Sequence, residues 1–349
     1  MRENNQTTIG APIAEAAWHS ANRNDTTAPV AAGHQAHARD IADRNDAWSS
    51  QSSTIGAVRR TQTGASNPLY FAYGSNLNAA DWERWCRARE VDPACIKPVA
   101  PAFLPDFQLV FDVSSPSRGC GVLDVIPRMG HCVDGCLFEI SEHGLAALDR
   151  KEGAPNFYHR QDCTAILADG SAVAAFTYVV CSQLREDFVP PDEAYANVCR
   201  RGRQMLGLDT SALERAAQGH HPQTLVRGVF VYGTLLSGER LAAALTGAVH
   251  PASATGMLVD LGSFPALIPT GEGRVEGEYV VPEDLPETLQ ELDMIEGADP
   301  SCGTDGFYRR TVVRVEVDGG LRPAWAYVQS DRQAGHLPRI RSGSWRNRY

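Results

Sequence analysis

Seven residues recur in this chain, and no other feature restricts its fold as much. Tyr70-Phe71-Ala72-Tyr73-Gly74-Ser75-Asn76 returns as Val229-Phe230-Val231-Tyr232-Gly233-Thr234-Leu235. Each copy is an aromatic and β-branched run that favours a strand, and each ends in Gly followed by Ser or Thr, which stops a strand and opens a helix. The stretch reads as strand, tight loop and helix start. A helix opening just after a glycine leaves backbone N–H groups pointing outward with the positive end of the helix dipole behind them, a small anion site suited to a carboxylate. Turns of this kind are common and most serve only the fold, so the weight rests on the residues downstream of each copy.

Those downstream residues repeat as well. After the first loop Asn78 is placed to cap a helix carrying Trp82, Trp85 and Cys86 on one side, and Leu241, Ala244 and Leu245 take the same part after the second. Short apolar strands are expected from Phe107 to Val113, Gly121 to Pro127 and Cys132 to Ile140, and again from Gly256 to Leu261, Ala266 to Pro269 and Arg274 to Val281. Ile126-Pro127 stands eight residues before Gly135, and Ile268-Pro269 stands eight before Gly277. One blueprint is used twice.

A helix then closes each copy's core. Leu285, Leu289, Leu292 and Glu296 fall at i, i+4, i+7 and i+11, one stripe whose last member is a carboxylate, and Leu145, Leu148 and Glu152 repeat it more briefly. Gly153 and Gly297 come next, where a helix ends on a left-handed residue. A glutamate on an apolar stripe is costly to ionise, so its pKa rises unless a cation holds it down, and a carboxylate so raised can shuttle protons near neutral pH. The alternative is a glutamate that turns to solvent or pairs with Arg150 or Arg160. Phe157-Tyr158-His159-Arg160 and Phe307-Tyr308-Arg309-Arg310 each open a further strand, and a last strand carries Tyr178 or Tyr327, for which packing is the expected role.

A chain of 349 residues accommodates two such domains. Residues 1–66 are rich in Ala, Asn, Ser, Thr, Gln and Asp with no sustained periodicity and read as a disordered tail, either an export signal for a specialised non-Sec secretion system or, the favoured reading, a segment without function. The first domain spans 67–218 and includes helical residues from about Glu193 to Gln218; 219–227 is a linker, 228–330 the second domain and 331–349 a flexible arginine-bearing tail. A net charge of −10 argues against a nucleic-acid partner, and the lack of an apolar run of 18 residues or of a secretory start argues against a membrane and for the cytoplasm. Nine cysteines without framework spacing read as reduced thiols, and Cys132 with Cys136 finds no second pair to complete a metal site.

These motifs, in this order, resemble the γ-glutamylcyclotransferase superfamily twice over. Phe71-Ala72-Tyr73-Gly74-Ser75-Asn76, Leu148-Asp149-Arg150-Lys151-Glu152-Gly153 and Phe157-Tyr158 are similar to the γ-glutamylcyclotransferase branch. Val231-Tyr232-Gly233-Thr234-Leu235, Phe264-Pro265-Ala266-Leu267, Leu292-Asp293-Met294-Ile295-Glu296-Gly297 and Tyr308-Arg309-Arg310 are similar to the γ-glutamylamine cyclotransferase or AIG2-like branch. The resemblance implies an α+β fold of two tandem small mixed β-barrels with flanking helices. It also implies release of 5-oxoproline from a small γ-glutamyl amide or amine, with Glu152 and Glu296 as acid/base catalysts. The loops Tyr73-Gly74-Ser75-Asn76 and Tyr232-Gly233-Thr234-Leu235, with Tyr158 and Tyr308, then hold substrate. The reaction calls for no metal and no cofactor. Two alternatives stand beside it: one domain silent and serving as a binding module, or an exported effector acting on host γ-glutamyl compounds or isopeptides. The spacing from tyrosine to glutamate is 79 residues in one copy and 64 in the other, so the two pockets need not share a substrate.

Overall fold

The structure, a computed structural model, describes residues 67–221, 224–299, 301 and 306–349. The tail expected over 1–66 lies outside the described residues. The first repeat closes into a barrel of β1 (Leu69–Ala72), β2 (Ile96–Ser115), β3 (Cys120–Ile140), β4 (Tyr158–Leu167) and β5 (Ala172–Val180) in the order β1-β3-β2-β4-β5. The parallel pairing of Tyr70 with Phe176 shuts the ring. Around it stand α1 (Ala79–Arg87), α2 (Glu142–Glu152), α3 (Glu193–Met205) and α4 (Ser211–Ala217).

The second repeat closes the same way. Its ring is β6 (Val229–Val231), β7 (Ala248–Thr255), β10 (Arg274–Val281), β11 (Arg309–Val317) and β12 (Gly320–Val328), shut by Val229 against Trp325, with α5 (Leu285–Glu296) alongside. The long hairpin β2–β3 has its counterpart in two pieces. The barrel part is β7–β10, and the outer part is a separate ribbon of β8 (Met257–Asp260) and β9 (Pro265–Ile268). The two repeated glycines are explained by close approach: a Cβ on Gly135 would lie 2.3 Å from the Ala72 carbonyl oxygen, and one on Gly277 2.2 Å from that of Val231.

Three expectations are corrected. First, Leu241, Ala244 and Leu245 do not carry an α-helix; only a 3₁₀ turn forms at Ala242–Ala244. Gly238 takes φ +82°, which no right-handed helix continues through, and Ser237, where the first copy has its cap Asn78, bonds Glu278 instead. Second, residues 331–349 are packed on the second barrel. Ile340 and Trp345 are buried, Ile340 N–H donates to Leu258 and Glu276 N–H to Gly343, and Arg346 reaches Glu278 at 3.0 Å. Burying a side chain such as Ile340 contributes about 1.5–3 kcal/mol, enough to hold a short arm down. Third, the described part of 219–227 is not an open linker. His221 bonds Gln108, Thr224 donates to the Gly130 carbonyl, and Val226 is fully buried.

The barrels also touch directly. Phe103, Cys132 and Ile166 of the first pack within the core of the second. The Gly170 carbonyl accepts from Arg309 and Thr311, and the fully buried Arg310 reaches Asp106 at 2.7 Å on one side and Asp293 at 2.9 Å on the other. Cys132 lies in the second core cluster while Cys136 lies in the first, so these two thiols face different interiors.

Candidate active site

In the second barrel the loop after β6 is drawn tight by a bond from the Tyr232 hydroxyl to the Tyr327 carbonyl, 2.5 Å. Gly233 is required because a Cβ there would meet Pro265 at 2.7 Å. Among the described residues no hydrogen bond occupies the backbone amides of Thr234 and Leu235, so the turn presents two donors. Leu285, Leu289 and Leu292 seat α5 in the core, and its N-cap Asp284 and left-handed C-cap Gly297, φ 58°, fix both ends. That brings Glu296 into the same cavity as Tyr232, Gly233, Thr234, Leu235 and Tyr308, a cleft of ≈ 150 Å³. Tyr308 is held by its bond to the Pro265 carbonyl, 2.6 Å.

Glu296 shares that cleft with Leu235, Leu241, Phe264, Ile295 and Phe307, and no cation pairs with it among the described residues. Burial pushes its carboxyl up to about 7. A group so placed is part base and part acid at neutral pH, beside two open N–H donors.

The first barrel assembles the same parts in different surroundings. Tyr73 donates to the Tyr178 carbonyl at 2.7 Å and Tyr158 to the Leu123 carbonyl at 2.8 Å, matching Tyr232 and Tyr308 bond for bond. Helix α2 ends on Gly153, φ 66°, with Glu152 in its last turn. Here the Asn76 amide donates to Glu152 at 2.7 Å, while its oxygen accepts from Lys151 at 2.6 Å. The Lys151 ammonium also lies 3.5 Å from the Ser75 hydroxyl and 3.5 Å from Asp81. Because Lys151 claims the amide oxygen, the NH₂ of Asn76 must face the glutamate. Arg160, a candidate partner of Glu152 in the sequence, bonds Asp149 instead, at 2.8 Å. Burial holds the phenols of Tyr73, Tyr158, Tyr232 and Tyr308 above their ordinary value, so each is a neutral donor.

Several members of these networks escape a reading by motif. Tyr178 and Tyr327 are more than packing: their hydroxyls donate to Asp149 at 2.6 Å and Asp293 at 2.8 Å, one turn before each glutamate. The aspartates are visible in the sequence as Leu-Asp pairs on the two helices, but their role depends on a strand distant in sequence. Asp124 is a second omission. It is fully buried on β3 with its carboxyl pushed up to about 7 by burial and by Asp112, and it accepts from Val180 N–H and from Arg185. The signal was an acid inside the apolar run Val122-Leu123-Asp124-Val125; at the matching place the second copy has Ala266. Among the described residues no group of three or more His, Cys, Asp or Glu side chains is gathered as a metal site, and no helix is long and apolar enough to cross a membrane.

A sequence model of the family described as gamma-glutamyl cyclotransferase, AIG2-like, matches this chain twice, over residues 70–197 and 229–347. A comparison with curated proteins finds no match. Among solved structures, a gamma-glutamyl cyclotransferase is similar at 24% identity and a TM-score of 0.37, over 45% of this chain and 89% of its own. An AIG2-like protein from Mus musculus is similar at 26% identity and a TM-score of 0.26, over 32% of this chain and 84% of its own. YkqA from Bacillus subtilis is similar at 18% identity and a TM-score of 0.28, over 75% of this chain and 84% of its own.

Proposed function

Because the chain belongs to the gamma-glutamyl cyclotransferase, AIG2-like family, matched over both barrels, we propose that it releases 5-oxoproline from γ-glutamyl amides or amines, with Glu296 and Glu152 as the acid/base groups of two sites. In such a substrate the α-amino nitrogen is tethered to its own γ-carbonyl carbon, so attack closes a five-membered ring with the rate advantage of an intramolecular reaction. The new C–N bond forms as the old amide C–N bond breaks. The glutamate takes a proton from the α-ammonium and returns it to the departing nitrogen. At the second site the open amides of Thr234 and Leu235 hold the substrate's carboxylate, and Tyr232, Gly233 and Tyr308 fix the walls around it. At the first, Tyr73, Gly74, Ser75, Asn76 and Tyr158 take these parts.

The observation that carries this reading is the second-barrel cleft, where a glutamate pushed up to about 7 shares the lining with unoccupied backbone donors and pairs with no cation among the described residues. Eight free thiols among the described residues suit a reducing compartment, and we place the reaction in the cytoplasm. The test is 5-oxoproline release by the full chain and by Glu152→Gln, Glu296→Gln and the double variant. Undiminished release by the folded double variant overturns the assignment.

A second reading has its own support: the first barrel as a scaffold for the second. Arg310, two residues after Tyr308, is completed by Asp106 of the first barrel, a dependence with no counterpart in the opposite direction among the bonds of Arg160. If that is the first barrel's whole task, Glu152→Gln leaves turnover of every γ-glutamyl substrate unchanged while Glu296→Gln abolishes it.

A further inference from the structure

Arg240 lines the second-barrel cleft and stands eight residues after Tyr232. Eight residues after Tyr73 the first barrel has an acid, Asp81, which is buried and takes Arg84, Arg118 and Lys151 as partners. The charge at this place is thus inverted between the two copies. Among the described residues no carboxylate or carbonyl bonds the Arg240 guanidinium. The other side chains at the mouth are apolar and open to solvent: Ile295 is 44% and Phe307 51% exposed, with Phe264 edge-on to Phe307 at 5.9 Å.

Resting on the reaction assigned to this site, we propose that the second site is built for γ-glutamyl α-amino acids with apolar side chains, and that Arg240 recognises the carboxylate of the departing amino acid. The γ-glutamyl unit occupies the deep end, against the Thr234 and Leu235 amides and Glu296, so the leaving group faces the mouth. There a guanidinium attracts a carboxylate through paired N–H donors and repels the ammonium groups of a polyamine. The apolar platform of Ile295 and Phe307 receives the side chain next to that carboxylate. Among the described residues Arg240 makes no bond that holds the fold, and recognition of an anion at the rim of the cleft gives it a role.

The experiment uses the full chain carrying Glu152→Gln, so that 5-oxoproline reports the second site alone. It compares γ-glutamyl-leucine with γ-glutamyl-isopentylamine, the same molecule without the carboxylate. The dipeptide should have a kcat/KM higher by about tenfold, expressed in KM, in keeping with a hydrogen-bonded charge pair at a partly wet site. Arg240→Gln should erase the difference while leaving the amine unaffected, and Arg240→Lys should restore part of it. Equal turnover of the two substrates, or an equal loss of both in Arg240→Gln, overturns the proposal. If neither is turned over, the assigned reaction fails at this site, and calorimetric titration of the same pair still decides the recognition: an Arg240-dependent preference for the carboxylate keeps it, and its absence ends it.

Discussion

The two barrels share the hydroxyl bonds of three matched tyrosines and both capped helices, yet they hold their glutamates in opposite ways. Glu152 accepts from an asparagine that a buried lysine keeps in register. Glu296 has Leu235 where the first copy has Asn76, and Ile295 where it has Lys151, and so it sits among apolar groups. Two substitutions on a common frame separate a carboxylate held by a donor from one pushed up to about 7 by burial. A proton shuttle can be placed either by pairing or by desolvation, and the frame does not choose between them.

The largest effect tests whether both placements serve catalysis. Replacing the general base of a cyclisation removes on the order of 10³-fold from kcat. Glu296→Gln should cost this at substrates of the second site and Glu152→Gln at those of the first, each leaving the other activity intact. Second-site turnover should also depend on the ionised fraction of Glu296, falling as pH drops through about 7. A second-site rate unchanged from pH 8 to pH 5.5 in the Glu152→Gln chain would break the comparison.

Next comes the join between the barrels. Arg310 is fully buried between Asp106 and Asp293, whereas its first-barrel analogue Arg160 reaches Asp149 from a half-exposed position. Removing one member of a buried pair costs about 3–5 kcal/mol because a buried charge is left behind. A surface pair is worth about 0–1 kcal/mol. Arg310→Ala should therefore lower stability several-fold more than Arg160→Ala in chemical denaturation, and equal losses would show that the barrels stand independently.

Much of this frame was legible in the chain before its structure. Seven-residue recurrence, a leucine stripe ending in glutamate, and a glycine after each glutamate mark which elements repeat, because local conformation and periodicity are written in adjacent residues. The join was not legible. Asp106 and Arg310 are 204 positions apart, and nothing in either neighbourhood marks one as the partner of the other. The docked arm at 331–349 was hidden for a related reason: Ile340 and Trp345 are isolated apolar residues in a polar stretch, with no period to announce burial, and backbone bonds to β8 and β10, remote in sequence, hold the arm in place. The polar clasp on Glu152 was equally silent, since Lys151 is a neighbour in sequence but Asn76 lies 76 positions before the glutamate it bonds, and Asp81 comes from the same distant stretch.

A smaller effect, but one with a sign, lies in stability. The folded chain holds Glu296 above the ordinary 4.5, at about 7, so it binds that proton more tightly than the unfolded chain does. The resulting stabilisation is complete below about 4.5 and is lost as pH rises through about 7. Glu296→Gln, a permanent stand-in for the neutral acid, should therefore stabilise by roughly 1–3 kcal/mol at pH 8 and by nothing at pH 4.5. Glu152→Gln should go the other way at pH 8, lowering stability by about 1 kcal/mol, because it replaces the carboxyl group to which the Asn76 amide donates. Melting temperatures of the two variants at both pH values decide the matter; shifts of the same sign would mean that the glutamates are held alike.

The smallest and sharpest test moves the donor from one barrel to the other. Leu235→Asn places an amide where the first barrel has Asn76, and Ile295→Lys adds the ammonium that holds its oxygen, so that the NH₂ is left for Glu296. A hydrogen bond to the charged form favours ionisation, and about 1.4 kcal/mol of it corresponds to one unit of pKa. The double variant should therefore shift the acid limb of second-site activity downward from about 7 by about one unit, while the pH dependence of first-site turnover stays where it was. Leu235→Asn alone should do less, since without the lysine the amide is free to turn its oxygen toward the carboxylate, which disfavours the ion. If the single and double variants move the limb equally, the lysine has no part in orienting the asparagine. If neither moves it, burial alone sets the behaviour of Glu296, and the difference between the two sites lies in the depth of their clefts and not in the clasp.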